Sequence, residues 1–169
     1  MIGRRRGWPL LALIALGAGC SAGHVEGGVF RSAKGYRVTV PPAGWSVASE
    51  TSADLELRRT DPPGGIAVAA TCEGSPLRRP LPVLMRHLTF GLSDRQVLER
   101  GAARAGPEPG ERQVLRGRLD GVEVMVEAVV ARDDRCVYDF LYVSPPEHFA
   151  AGRPVFEALV QSFATSTPP

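Results

Sequence analysis

The feature that most constrains how this chain folds is a dipeptide, Asp120-Gly121, set between the apolar-rich runs 112–119 and 122–132. Asp-Gly supplies the two positive-φ positions of a type I′ turn, whose twist matches that of the strands it joins, so the two runs are committed to an antiparallel hairpin. In the second run Val122, Val124, Val126, Ala128 and Val130 fall on one face, and Glu123 and Glu127 on the other. Period-two alternation of this kind predicts one face packed and one face in water.

Strand signals recur on both sides of that hairpin. Residues 29–31 and 36–40 flank a turn at Ala33-Lys34-Gly35, and Pro41-Pro42-Ala43-Gly44 breaks the chain before Trp45-Ser46-Val47. Leu55 and Leu57 alternate with Glu56 and Arg58. After the turn at 61–65, Ile66, Val68, Ala70 and Cys72 share a face. Asp133-Asp134 turns into a last strand whose Cys136, Tyr138, Phe140 and Tyr142 point one way. The period changes to 3.6 over 81–91, where Leu81, Leu84, Met85 and Leu88 form a stripe and Pro82 suits the first turn. A second helix is expected over 154–161, with Phe156, Leu159, Val160 and Phe163 inward. Residues 93–104 fit a strand or a continuing helix, and 106–110 (GPEPG) read as a loop. Together these predict an α+β single domain over 29–164, with an antiparallel six- to seven-stranded sheet flanked by helices. With 44% apolar residues the chain has enough material for a core.

The N-terminus points to export. Arg4, Arg5 and Arg6 precede an apolar run over 8–16 that has signal-peptide length and is too short to span a bilayer. The run ends in Leu16-Gly17-Ala18-Gly19-Cys20, which resembles the bacterial lipobox, with Leu16 one place earlier than the usual leucine. The reading is therefore a signal peptide over 1–19, Cys20 as the lipidated first residue of the mature chain, and a flexible tether over 20–28. Residues 165–169 are expected to fray. Acyl chains on Cys20 would hold the chain at a membrane, at about 0.8 kcal/mol for each buried methylene. Ser21 stands where an aspartate would, by the same resemblance, signal inner-membrane retention, so the outer membrane, facing the periplasm, is expected. Of 20 basic and 18 acidic residues, three arginines lie in the leader, which leaves 17 against 18 and no field for nucleic acid.

An exported chain meets an oxidising compartment, and with Cys20 set aside Cys72 and Cys136 remain as an even pair, so a disulfide between them is expected. Their spacing fits no zinc motif. Chemistry is otherwise sparse. Ser75 is not in a nucleophile elbow, no phosphate loop or H-E-x-x-H is present, and no cofactor is implied. His87, beside Arg86, and His148, after Pro145-Pro146-Glu147, read as solvated histidines rather than bases. Asp133 and Asp134 read as turn residues neutralised by Arg132 and Arg135, not as a metal site. Tyr138, Phe140 and Tyr142 are either core or the wall of a ligand cleft. Arg78, Arg79 and Arg86 are either a solvated face or a surface for anionic headgroups or a partner.

The opening Gly35-Tyr36-Arg37-Val38-Thr39-Val40-Pro41-Pro42-Ala43-Gly44-Trp45, the central Asp120-Gly121 hairpin, and the ending 156–163 (FEALVQSF) resemble the Mog1/PsbP-like fold, including the exported bacterial lipoproteins of DcrB type. The resemblance spans nearly all of the mature chain and implies an αβα sandwich acting as a binding or assembly module. The expected function is thus a non-enzymatic lipoprotein of the cell envelope that binds a protein partner. Two other readings stand beside it. One is a carrier or sensor of a small apolar ligand held between sheet and helix. The other is an enzyme that brings His87 or His148 together with a carboxylate and a serine.

Overall fold

The computed structural model describes residues 23–49 and 51–166. Cys20, the expected leader, and the last three residues of the expected tail lie outside them. A seven-stranded antiparallel sheet runs in the order β4 (Ser46–Val47), β5 (Leu55–Thr60), β6 (Pro63–Thr71), β10 (Val137–Ser144), β9 (Val122–Arg132), β8 (Glu108–Leu119) and β7 (Ser93–Ala105). Helix α1 (Leu81–Leu88) lies on one face. On the other face lie α2 (Pro146–Gln161) and a four-stranded sheet ordered β1 (Gly23–Glu26), β2 (Val29–Ser32), β3 (Tyr36–Thr39) and β11 (Ala164–Thr165).

Alternation along β9 explains the layering. Val124, Val126, Ala128 and Val130 pack toward α1, whereas Val129 and Ala131 join the larger core beneath α2. Both faces of the strand are therefore buried. The expectation that Glu127 lies on a wet face is corrected, because that face is roofed by α2 and Glu127 is 1% exposed. The Asp120-Gly121 turn is as expected, with φ of 50° and 81°, and it sets the β8–β9 register Leu119↔Val122.

Four boundaries differ from the expectation, each for a local reason. Residues 20–28 are not all tether: Gly27 and Gly28 take φ of 56° and 76° and close a β1–β2 hairpin, the role Gly-Gly plays in a type I′ turn. Residues 93–105 are a strand, and the loop over 106–110 shrinks to a turn. Pro109 is accommodated because β9 pairing begins only at Gly110, so its missing N–H faces no neighbour. Helix α2 begins at Pro146, since proline is well placed in a first turn, and it runs through Pro154 under the hold of Phe149, Phe156 and Leu159 in the core. Finally, Thr165 is paired with Tyr36 rather than frayed, and the Ser166 N–H donates to the Gly35 carbonyl at 2.9 Å.

The small sheet is pinned to the large one by Asp54. Its carboxylate accepts bonds from Lys34 Nζ at 2.7 Å, the Tyr36 hydroxyl at 2.9 Å and the Ala70 N–H at 2.8 Å. Burial, and next the Asp54 charge, raise the Tyr36 hydroxyl pKa well above its ordinary range, so the phenol stays a donor.

Candidate functional site

Cys72 and Cys136 form a disulfide with Cα atoms 4.1 Å apart. They extend the β6–β10 register one step past Thr71↔Val137, which places them directly opposite each other at the end of the ladder. Tyr138, Phe140 and Tyr142 have no exposed surface and fill the core under α2. Tyr138 and Phe140 meet the Phe163 ring at 4.6 and 5.4 Å, and Tyr142 stacks on Phe149 at 5.3 Å. The reading of these three as a cleft wall gives way to core packing, because the ring of Phe163 and the rings of α2 occupy the space a ligand would need. Asp133 is a turn residue: its carboxylate accepts the N–H groups of Arg135 and Cys136 at 2.7 Å each and the Tyr138 hydroxyl at 2.9 Å. Among the described residues, no group of three or more His, Cys, Asp or Glu side chains is placed to hold a metal ion.

The α1 face is where the molecule is left open. Helix α1 packs over β10, β9 and β8, with Leu84 and Met85 against Ala128, Val130 and Val137, and it leaves β7 beyond it uncovered. The outer strand β7 is exposed over 93–102. Between α1 and the β7–β8 face lies a groove of about 710 Å³ with an apolar floor that includes Val97, Ala102 and Leu115. Arg86, Arg95 and Arg100 line it against a single acidic residue, Glu111. Arg95 is fixed by donating to the Thr89 carbonyl at 3.2 Å, while Arg86 and Arg100 have no ion-pair partner among the described residues. Phe90, next along the chain from Thr89 of the groove, is 78% exposed. Two register shifts in β7 and its Arg and Glu side chains guard the edge itself against strand addition, so the face rather than the edge is what β7 offers. Of the arginines considered from the sequence, only Arg86 belongs here. Arg79 lines the cleft described next, and Arg78 ends the preceding 3-10 turn, exposed.

A smaller cleft of about 360 Å³ on the same face brings together His87, Arg79, Thr71 and Asp139. His87 Nε2 lies 2.9 Å from Arg79 Nη1, which engages the ring nitrogen as an acceptor. Among the residues whose side chains are described, the cleft is lined by no serine, and His148 lies apart from it, in the first turn of α2. Asp139 went unnoticed in the sequence, although one acid in the otherwise apolar run 137–143 is a signal. Its carboxyl has no hydrogen-bond or ion-pair partner among the described residues, and burial raises its pKa from 3.8 to about 6. The native state therefore holds this proton more tightly than the unfolded chain does. The resulting penalty is absent below about pH 4, grows as pH rises through 6, and is complete above it. Asp139→Asn is expected to raise stability by about 2 kcal/mol at pH 7.5 and to leave it unchanged at pH 4, as measured by urea denaturation. An equal effect at both pH values would show that the carboxylate is not the cause.

Under α2 lies a charged network whose members are far apart in sequence. Glu127 is paired with Arg112, and Arg112 Nη2 reaches Glu99 at 2.8 Å. Arg153 of α2 contacts Glu99 and Glu127 at 3.1 Å and Glu157 at 3.0 Å. Burial raises the Glu127 pKa, and its bond with Arg112 opposes that. The network ties β7, β8, β9 and α2 together beside a polar hollow of about 350 Å³.

No family model and no curated protein matches this sequence. Solved structures do match in shape. The cyanobacterial PsbP (CyanoP) of Synechocystis sp. PCC 6803 superposes with a TM-score of 0.59 at 13% identity, over 88% of this chain and 95% of that one. The fold is PsbP-like. LpqN of Mycobacterium tuberculosis, involved in cell envelope biogenesis, gives a TM-score of 0.57 at 17% identity, over 78% of this chain and 84% of its own. A Bacteroides thetaiotaomicron protein gives 0.61 at 8% identity and is covered over 50% of its length, so the PsbP-like domain accounts for half of that chain. At these identities the likeness carries the fold alone. Among the described residues of the PsbP-like domain, no helix is long and apolar enough to cross a membrane.

Proposed function

We propose that this chain is a non-enzymatic, lipid-anchored binding module of the bacterial cell envelope, of DcrB type. Acylated Cys20 holds it at the periplasmic side of the outer membrane, and it docks an acidic protein partner on the β7–β8 face. The observation that carries this reading is the uncovered face itself, an apolar floor rimmed by Arg86, Arg95 and Arg100 beside exposed Phe90. Aromatic and arginine side chains around an apolar patch are the composition of interface hot spots. The disulfide suits an oxidising compartment, the 1–19 leader supports export, and LpqN, with the same fold, is involved in cell envelope biogenesis. A tethered domain needs little intrinsic affinity, because the anchor raises its effective concentration at the membrane.

The reading is tested by a photo-crosslinking residue at Val97 in intact cells. One discrete adduct is expected, lost on Phe90→Ala with Arg100→Glu and retained on Arg58→Glu, a charge reversal at an exposed site on β5. Adducts that are diffuse, or that respond equally to both reversals, would contradict it.

A further inference from the structure

Beside α2, on the face opposite the β7–β8 groove, lies a second groove of about 440 Å³. One bank is the segment Val40, Pro41 and Pro42, and the other is α2 at Val155, Ala158 and Leu159. Trp45 and Arg59 also line it. The Arg59 guanidinium lies over the Trp45 ring, 4.9 Å from its centroid, and Nε donates to the Pro62 carbonyl at 2.8 Å. Nη2 is buried with no hydrogen-bond partner, and no carboxylate lies within ion-pair distance of Arg59 among the described residues. The backbone of α2 approaches this group so closely that a Cβ at Gly152 would sit 3.2 Å from Nη2 and 2.0 Å from the Tyr142 hydroxyl. A half-buried cation that lacks a counter-charge is costly unless something anionic reaches it.

We infer that this groove binds a single-chain anionic amphiphile of the fatty-acid class. The carboxylate head pairs with Arg59, and the chain lies between Val40 and Pro41 on one side and Val155 and Leu159 on the other. The dimensions suit it, since small-ligand pockets occupy about 300–1,000 Å³, mostly apolar with one or two fixed polar groups. Charge complementarity selects the head, and the apolar banks select the chain. The site is independent of the partner face, so either proposal stands if the other falls.

Trp45 is the natural reporter, because the only other tryptophan is Trp8. The full chain carrying Trp8→Phe is titrated with dodecanoate below its micellar concentration while Trp45 emission is followed. A saturable one-to-one response is expected. Arg59→Gln should weaken it about tenfold or more, since a hydrogen bond to a charged group is lost. Dodecanol should bind the unsubstituted site about as weakly as dodecanoate binds the variant. Ala158→Phe, at an exposed position on the helical bank, should block the groove with the circular dichroism spectrum unchanged, and it decides the matter alone if Arg59→Gln fails to fold. Four results would each overturn the inference. They are no saturation, equal affinity in both variants and the parent, displacement by acetate as effective as by dodecanoate, or a response confined to phosphatidylglycerol vesicles.

Discussion

Removing the disulfide with Cys72→Ala and Cys136→Ala together is expected to lower stability by about 4 kcal/mol, a large share of what a domain of this size has to lose. The magnitude comes from the unfolded chain. The bridge joins residues 64 apart in sequence, and releasing that loop restores conformational freedom that grows with the logarithm of its length. The native state contributes a second effect, because the bridge clamps β6 to β10 at the end where their ladder stops and where Cys136 is 2% exposed. Urea denaturation of the parent and the double variant, each with and without reductant, checks both. The parent under reductant should match the variant, and a difference below about 1 kcal/mol would show that the bridge constrains little.

Glu127→Ala is expected to cost about 3 kcal/mol. A buried ion pair adds little over an apolar pair of the same shape, yet removing one partner strands the other charge away from water. Here the stranded groups are Arg112 and Arg153, with side chains 22% and 28% exposed. Their remaining contacts with Glu99 and Glu157 put the cost at the lower end of the range for broken buried pairs. The signature lies in the double substitution: Glu127→Leu with Arg112→Met should recover most of the loss, because Arg112 is then no longer stranded and Arg153 keeps Glu99 and Glu157. Thermal unfolding of the parent and the two variants measures this, and a double variant worse than Glu127→Ala would mean that packing, not charge, governs the site.

Much of the fold is legible in the sequence because it is set by short-range rules. The Asp120-Gly121 turn, the alternation of Ile66, Val68 and Ala70, and the 3.6 period of Leu81, Leu84 and Leu88 each need only neighbouring residues to act. What escapes reading depends on what lies above the strand. Glu127 and Asp139 alternate as solvent-facing residues should, and only the roof supplied by α2 or α1 leaves Glu127 buried and Asp139 half-buried. Arg59 and Trp45 come from either side of the β4–β5 pair, and the approach of α2 at Gly152 completes their surroundings. The open β7–β8 face was likewise hidden, since it depends on where α1 docks across the sheet. Gly27-Gly28 differs, as a turn signal that is present in the sequence within the expected tether, and the single acid in the apolar run 137–143 is a signal as well.

The central claim, an anchored module of the envelope, is tested most directly by intact mass of the protein purified from membranes of a bacterial host, beside Cys20→Ala. The account predicts a chain that begins at Cys20 and carries a diacylglyceryl-scale addition, with the variant lacking that mass and released from the membrane fraction. An unmodified parent that retains residues 1–19 would contradict it.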